Sequence, residues 1–187
     1  MTLRTPAVAA ACLAALALGG CLSSAEEPFA LNGGDEIGAP PGDYACRTLG
    51  ARGAASNEAA RLVRLRRDRL TQYALVTSDN STAEPTTLHR IKDGIYVVAV
   101  AHEEAPGEDL YLVALDAGGA AFRLYQPAPE ALDKAPGLAA QTGATITHSQ
   151  FSDDLGGPLA AQRAFVLAFA DDLKNWRQTT ECRVKKR

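Results

Sequence analysis

The side chains able to do chemistry in this chain are few and scattered. Its three histidines are His89, His102 and His148. His102 is followed by Glu103-Glu104, but Ala105-Pro106 come next. The helical H-E-x-x-H zinc arrangement is therefore absent, and the trio reads as a solvated loop. His89 precedes a turn and His148 stands among polar residues, so both read as surface positions. Acid pairs occur at Asp153-Asp154 and Asp171-Asp172. Adjacent residues on a helix point to different sides, so Asp171-Asp172 cannot act as a paired general acid and base. Asp153-Asp154 precedes a helix start, where negative charge complements the positive end of the helix dipole. There is no G-x-S-x-G elbow, phosphate-cradling glycine loop or S-x-x-K. The expectation is a protein that is not an enzyme, with no catalytic residue, no cofactor and no metal ligand set.

The four cysteines, Cys12, Cys21, Cys46 and Cys182, say more. Arg4 is the only charge in the first 25 residues, and an apolar run from Ala7 to Leu18 follows it. That run is shorter than the roughly 20 apolar residues a permanent membrane helix requires, and it has the order of a secretory signal. Small residues then lead into Cys21. Leu18-Gly19-Gly20-Cys21 resembles the lipobox of bacterial lipoproteins, in which a peptidase cuts just before a cysteine that carries a diacylglyceryl group. The resemblance implies a signal peptide over 1–20, lipidation of Cys21, and anchoring in a membrane of the cell envelope. Two or more acyl chains hold stably, at about 0.8 kcal/mol per buried methylene, where one chain is marginal. By the same analogy, Leu22 in place of an aspartate implies the outer membrane, with the protein facing the periplasm. Ser23-Ser24-Ala25 also fits the small-x-small rule of ordinary signal cleavage, which would release a secreted protein instead.

Cys12 leaves with the leader and Cys21 takes the lipid. Cys46 and Cys182 remain, at opposite ends of an exported domain, and read as a disulfide. The chain-entropy model assigns such a long loop about 5 kcal/mol. No C-x-x-C occurs, so a redox motif is excluded.

Removal of the leader leaves about 167 residues, enough for one domain with a core. The net charge of −3 gives no case for nucleic acid as a partner. Residues 22–43 hold Glu26, Glu27, Asp35, Glu36 and Asp43 but no Lys or Arg, with Gly33-Gly34, Gly38 and Pro40-Pro41-Gly42 among them. That composition reads as a flexible acidic tether over 21–42, with a single domain over 43–187.

Three pieces between Arg61 and Gln126 each hold two apolar runs around a turn: Arg67-Asp68, Lys92-Asp93-Gly94 and Asp116-Ala117-Gly118-Gly119. They predict three consecutive hairpins. Leu62 to Leu65 echoes the second hairpin and reads as strand, although 54–69 also suits a helix. After Pro127 a short helix and loop precede a short strand in "ATITHSQF". Pro158 opens the best helical pattern, with Leu159, Phe165, Val166, Phe169, Leu173 and Trp176 on one broad face. "TTECRVK" alternates as a half-buried strand. The predicted fold is α+β, a curled antiparallel β-meander or partial barrel with one long C-terminal helix packed on it.

Arg61, Arg64, Arg66, Arg67 and Arg69 surround Asp68, and Lys185-Lys186-Arg187 end the chain. On a strand Arg64 and Arg66 share a face, away from Val63 and Leu65. With Arg67 they could meet an anionic envelope component or an envelope protein, or they could be a solubilising face. The leading expectation is thus a lipid-anchored, non-enzymatic binding or structural module. "YAC" at Tyr44-Ala45-Cys46 is similar to a stretch of the small lysozyme-inhibitor lipoproteins, which pair a lipobox with a disulfide-closed β-barrel. That resemblance implies an inhibitor of a lytic enzyme, and the helix from Pro158 departs from its pattern. A hydrolase or ligand-binding barrel is the third class.

Overall fold

The computed structural model describes residues 21–26, 28–29, 34–49, 55–67, 70–77, 86–101, 107–149 and 152–185. All three expected hairpins form. They pair β3 (Ala55–Arg67) with β4 (Leu70–Thr77), β5 (Thr87–Lys92) with β6 (Ile95–Ala101), and β7 (Glu108–Leu115) with β8 (Ala121–Pro127). Asp93-Gly94 turns the second, with Gly94 at φ 73°, a conformation open to glycine and costly for a residue with a Cβ. β2 (Gly42–Leu49) lies between β3 and β11 (Trp176–Val184), and β11 pairs in turn with β8.

The order β4-β3-β2-β11-β8-β7-β6-β5 is a circuit that almost returns to its start. At the seam between β5 and β4 the ladder shrinks to one bridge, in which Tyr73 and Thr86 exchange two backbone hydrogen bonds of 2.9 Å. The sheet is therefore not closed. Each of the eight strands sends a buried side chain into one cluster: Tyr44 and Cys46, Leu62, Tyr73, Leu88, Tyr96 and Val98, Val113, Phe122, and Cys182. The disulfide Cys46–Cys182 lies in this interior and joins residues that face each other across β2 and β11, with Cα atoms 4.0 Å apart.

A second apolar layer covers the outside of β6 and β7. Ile95, Val97 and Ala99, with Leu110, Leu112 and Ala114, pack against α1 (Pro129–Leu132), α2 (Pro136–Thr142) and α3 (Leu159–Ala170). Alternate residues of β6 and β7 thus serve two cores. This accounts for the unbroken apolar runs "IYVVAVA" and "LYLVAL", since a strand buried on both faces has no polar face to alternate with.

The chain is α+β, mostly strand, and it departs from expectation at several points. A long helix reaching Trp176 is not seen: α3 spans 12 residues and stops at Ala170. The Asp172 carboxylate then accepts the Lys174 N–H at 2.9 Å and starts a separate 3₁₀ turn. Trp176 keeps helical spacing by coincidence. As the first residue of β11 it reaches the same core, 5.5 Å from the Phe169 ring, and its indole N–H donates to the Phe169 carbonyl. The sheet is mixed rather than purely antiparallel, because β1 (Cys21–Ser24) runs parallel to β10 (Ser152–Gly156), which pairs with β9 (Thr145–His148). Asp153 and Asp154 lie in β10 and do not cap α3, whose N-cap Pro158 has no side-chain partner. Finally, the described residues of the segment expected to be a tether, 21–26, 28–29 and 34–42, make contacts with the rest of the fold, as given next.

Candidate functional site

The leader, 1–20, lies outside the described residues, and the first described residue is Cys21. Cys21 opens β1, in register with Ser152 of β10, while Leu22 stands opposite Leu110 of β7. Leu22 is fully buried in the layer beneath α3. Two serines make the rest of the strand tolerable there, because their hydroxyls find partners. Ser23 donates to the Asp154 carboxylate at 2.9 Å, and Ser24 to the Gln162 side chain of α3 at 2.6 Å. Gln162 is itself buried and donates to the Gly157 carbonyl at 2.7 Å, so the polar contacts continue into α3.

Further along, Phe29 is buried and its N–H donates to the carboxylate of buried Glu108 at 2.9 Å. Arg163 sits over the Phe29 ring and His89 packs beside it, with ring centroids 5.6 Å apart. His89 is half-buried rather than on the surface. Burial, and then the Arg163 charge, hold its imidazole below the usual histidine range, against smaller opposing effects of Asp35 and the Phe29 backbone. Its Nε2 is buried without a hydrogen-bond partner.

Residues 34–41 then form a strap across the circuit. The Asp35 N–H donates to the Leu88 carbonyl, and the Asp35 carboxylate accepts the Arg90 N–H at 2.7 Å. The Ile37 N–H donates to the Tyr73 hydroxyl at 3.0 Å, and the Tyr44 hydroxyl donates to the Pro40 carbonyl at 2.6 Å. Gly119, at φ 66°, lies so close to the strap that a Cβ there would stand 2.2 Å from the Gly38 carbonyl oxygen. The acids that make this segment look like a repelling, solvated linker are engaged, Glu36 by Arg64 at 3.6 Å and Asp43 by Arg61 at 2.8 Å.

Those pairs bear on the arginine face. Arg64 shares its side of β3 with Leu62, and its guanidinium is occupied by Glu36. Arg66 and Arg67 stand opposite Thr71 and Leu70 at the tip of the β3–β4 hairpin, and their side chains lie outside the described residues. Of the three arginines singled out, the one described stays half-exposed beside Glu36.

The interior of the circuit holds a cavity of about 90 Å³ beside the β4–β5 seam. It is lined by Ile37 of the strap and by Leu62, Tyr73, Leu88, Val98 and Phe122. Tyr73 is the one titratable side chain among these, and its hydroxyl is engaged by the Ile37 N–H. His148, exposed on β9, lies 2.6 Å from Asp153 across the β9–β10 hairpin. Register brings these two together, and helical or sequential spacing gave no sign of it. Lys92 bonds Asp171 at 3.0 Å, which accounts for one of the second acid pair, and Asp172 caps the 3₁₀ turn. His102 lies outside the described residues. Among the described residues no group of three His, Cys, Asp or Glu side chains could hold a metal, and no helix is long and apolar enough to cross a membrane. Compared with family models, curated proteins and solved structures, the chain matches none.

Proposed function

We propose that the chain is a lipid-anchored protein of the bacterial cell envelope, held by acyl groups on Cys21 in the outer membrane, whose β-rich domain is a non-enzymatic binding module. The observation that carries this reading is the order of charge, apolar run and Leu18-Gly19-Gly20-Cys21 at the N-terminus. The disulfide is in keeping with an oxidising compartment. The interior cavity is lined by apolar side chains and by Tyr73, whose hydroxyl accepts the Ile37 N–H. The partner is an anionic envelope component or envelope protein, met at Arg64, Arg66 and Arg67. Cys21→Ser is expected to move the protein from the membrane fraction to the soluble periplasmic fraction. An unchanged membrane fraction would remove the anchor. Arg64→Glu with Arg66→Glu and Arg67→Glu is expected to abolish capture of the partner from detergent extracts, and unchanged capture would remove the arginines.

A second reading, inhibition of a lytic enzyme, is supported by one observation: the eight-strand circuit, although open at the β4–β5 seam, holds its disulfide inside. A lysozyme inhibition assay with the mature domain decides it.

A further inference from the structure

An anchor normally joins its domain through a linker that lets the domain tumble. Here residue 21, the anchoring position of the reading above on which this inference rests, is already a strand residue between β7 and β10. Leu22 is fully buried, and Ser23 and Ser24 are bonded to β10 and α3. Successive strand residues alternate between the two faces of a sheet. Since Leu22 takes the core face, positions 21 and 23 fall on the opposite one. On that face Ser23 is buried beside the Asp154 carboxylate, and the accessible residues are Ser152 and Asp154 of β10 and Thr145 and Thr147 of β9. The Asp154 carboxylate accepts hydrogen bonds from Ser23 and from Ser152 at 3.0 Å, so its charge is solvated by the protein itself. α3 covers the other face, through Leu22, Phe165, Val166 and Phe169.

We infer that the domain is seated directly on the bilayer, in one fixed orientation, with the hydroxyl-bearing face of β10 and β9, beside residue 21, against the lipid headgroups and α3 turned away. The physical reason is the length of the connection. A thioether joins the glyceryl carbon to the cysteine within a few bonds, and the glycerol of an inserted lipid lies at the boundary of headgroup and acyl chain. Neighbouring strands are about 4.8 Å apart, so Ser152 stands one strand, and β9 two strands, from the lipid's attachment point. Serine and threonine hydroxyls both donate and accept, which suits a surface of phosphate and ester oxygens.

The test uses the mature acylated protein in phosphatidylcholine vesicles, after its intact mass has shown the acyl groups on Cys21. Cys46 and Cys182 are bonded to each other, so a nitroxide can be placed on Thr147→Cys or, in a separate variant, on Ala164→Cys of the outward side of α3. The Thr147 label is expected to lose its accessibility to a water-soluble relaxing agent, and the Ala164 label to keep it. A Gly-Ser linker inserted between Cys21 and Leu22 is expected to erase the difference. Should Thr147→Cys not fold, Ser149→Cys, level with Ser152, serves in its place. Equal access at both sites without the linker, or shielding of the Ala164 label instead, would overturn the seating while leaving the lipoprotein reading intact. A mass without acyl groups would overturn that reading itself.

Discussion

Leu22 distinguishes two accounts of the N-terminal segment more sharply than any other side chain. In a tether its size would not matter. Fully buried beneath α3, it should behave as core. Leu22→Ala is therefore expected to lower the unfolding free energy of the mature protein by about 2 to 5 kcal/mol in a urea titration. His89 makes a prediction in pH. Its folded value is depressed below the 6.5 it has when exposed, so the unfolded chain binds the proton more readily. The stability that neutral His89 contributes is present above the unfolded value and is lost as the pH falls through it toward the folded one. Thermal unfolding of the wild type should lose more than that of His89→Gln over this acid range, and parallel curves would contradict the assignment. Gly119→Ala should cost more than about 1 kcal/mol, from the positive φ and from the clash with the Gly38 carbonyl.

At the scale of elements, what was legible followed from local pattern. The Asp-Gly turn and paired apolar runs mark the hairpins, and two cysteines at the ends of the domain mark the staple between β2 and β11. Where meaning depended on distant partners it was hidden. Asp43 meets Arg61 18 residues away, and Asp35 meets the backbone of Arg90 55 residues away. Composition alone turns such acids into a solvated linker. The end of α3 was hidden for a different reason. Trp176 serves the helical layer from a strand, so the apolar period runs on after the helix has stopped. The candidate site divides in the same way: the cysteines and Arg64 were visible as residue types, whereas the strap, Glu108 and the His148–Asp153 contact exist only through the sheet register. The staple has its own test. Cys46→Ser with Cys182→Ser, or reduction, should lower stability by about 2 to 5 kcal/mol with the circuit of strands otherwise kept.

For the whole molecule, two apolar layers share β6 and β7, and the chain closes over them from both ends. β1 and the strap come from one side, and β11 from the other. Loss of the N-terminal segment should therefore loosen both layers together, unlike the trimming of a linker, which would leave a single unfolding transition unchanged. The same integration gives the proposed anchor its consequence, since a lipid on residue 21 would hold a rigid body rather than a string. The most direct measurement is the intact mass of the mature protein purified from its own cell envelope. The account predicts a polypeptide beginning at Cys21 and heavier than its sequence by a diacylglyceryl group or more. An unmodified chain beginning at Glu26 would contradict it.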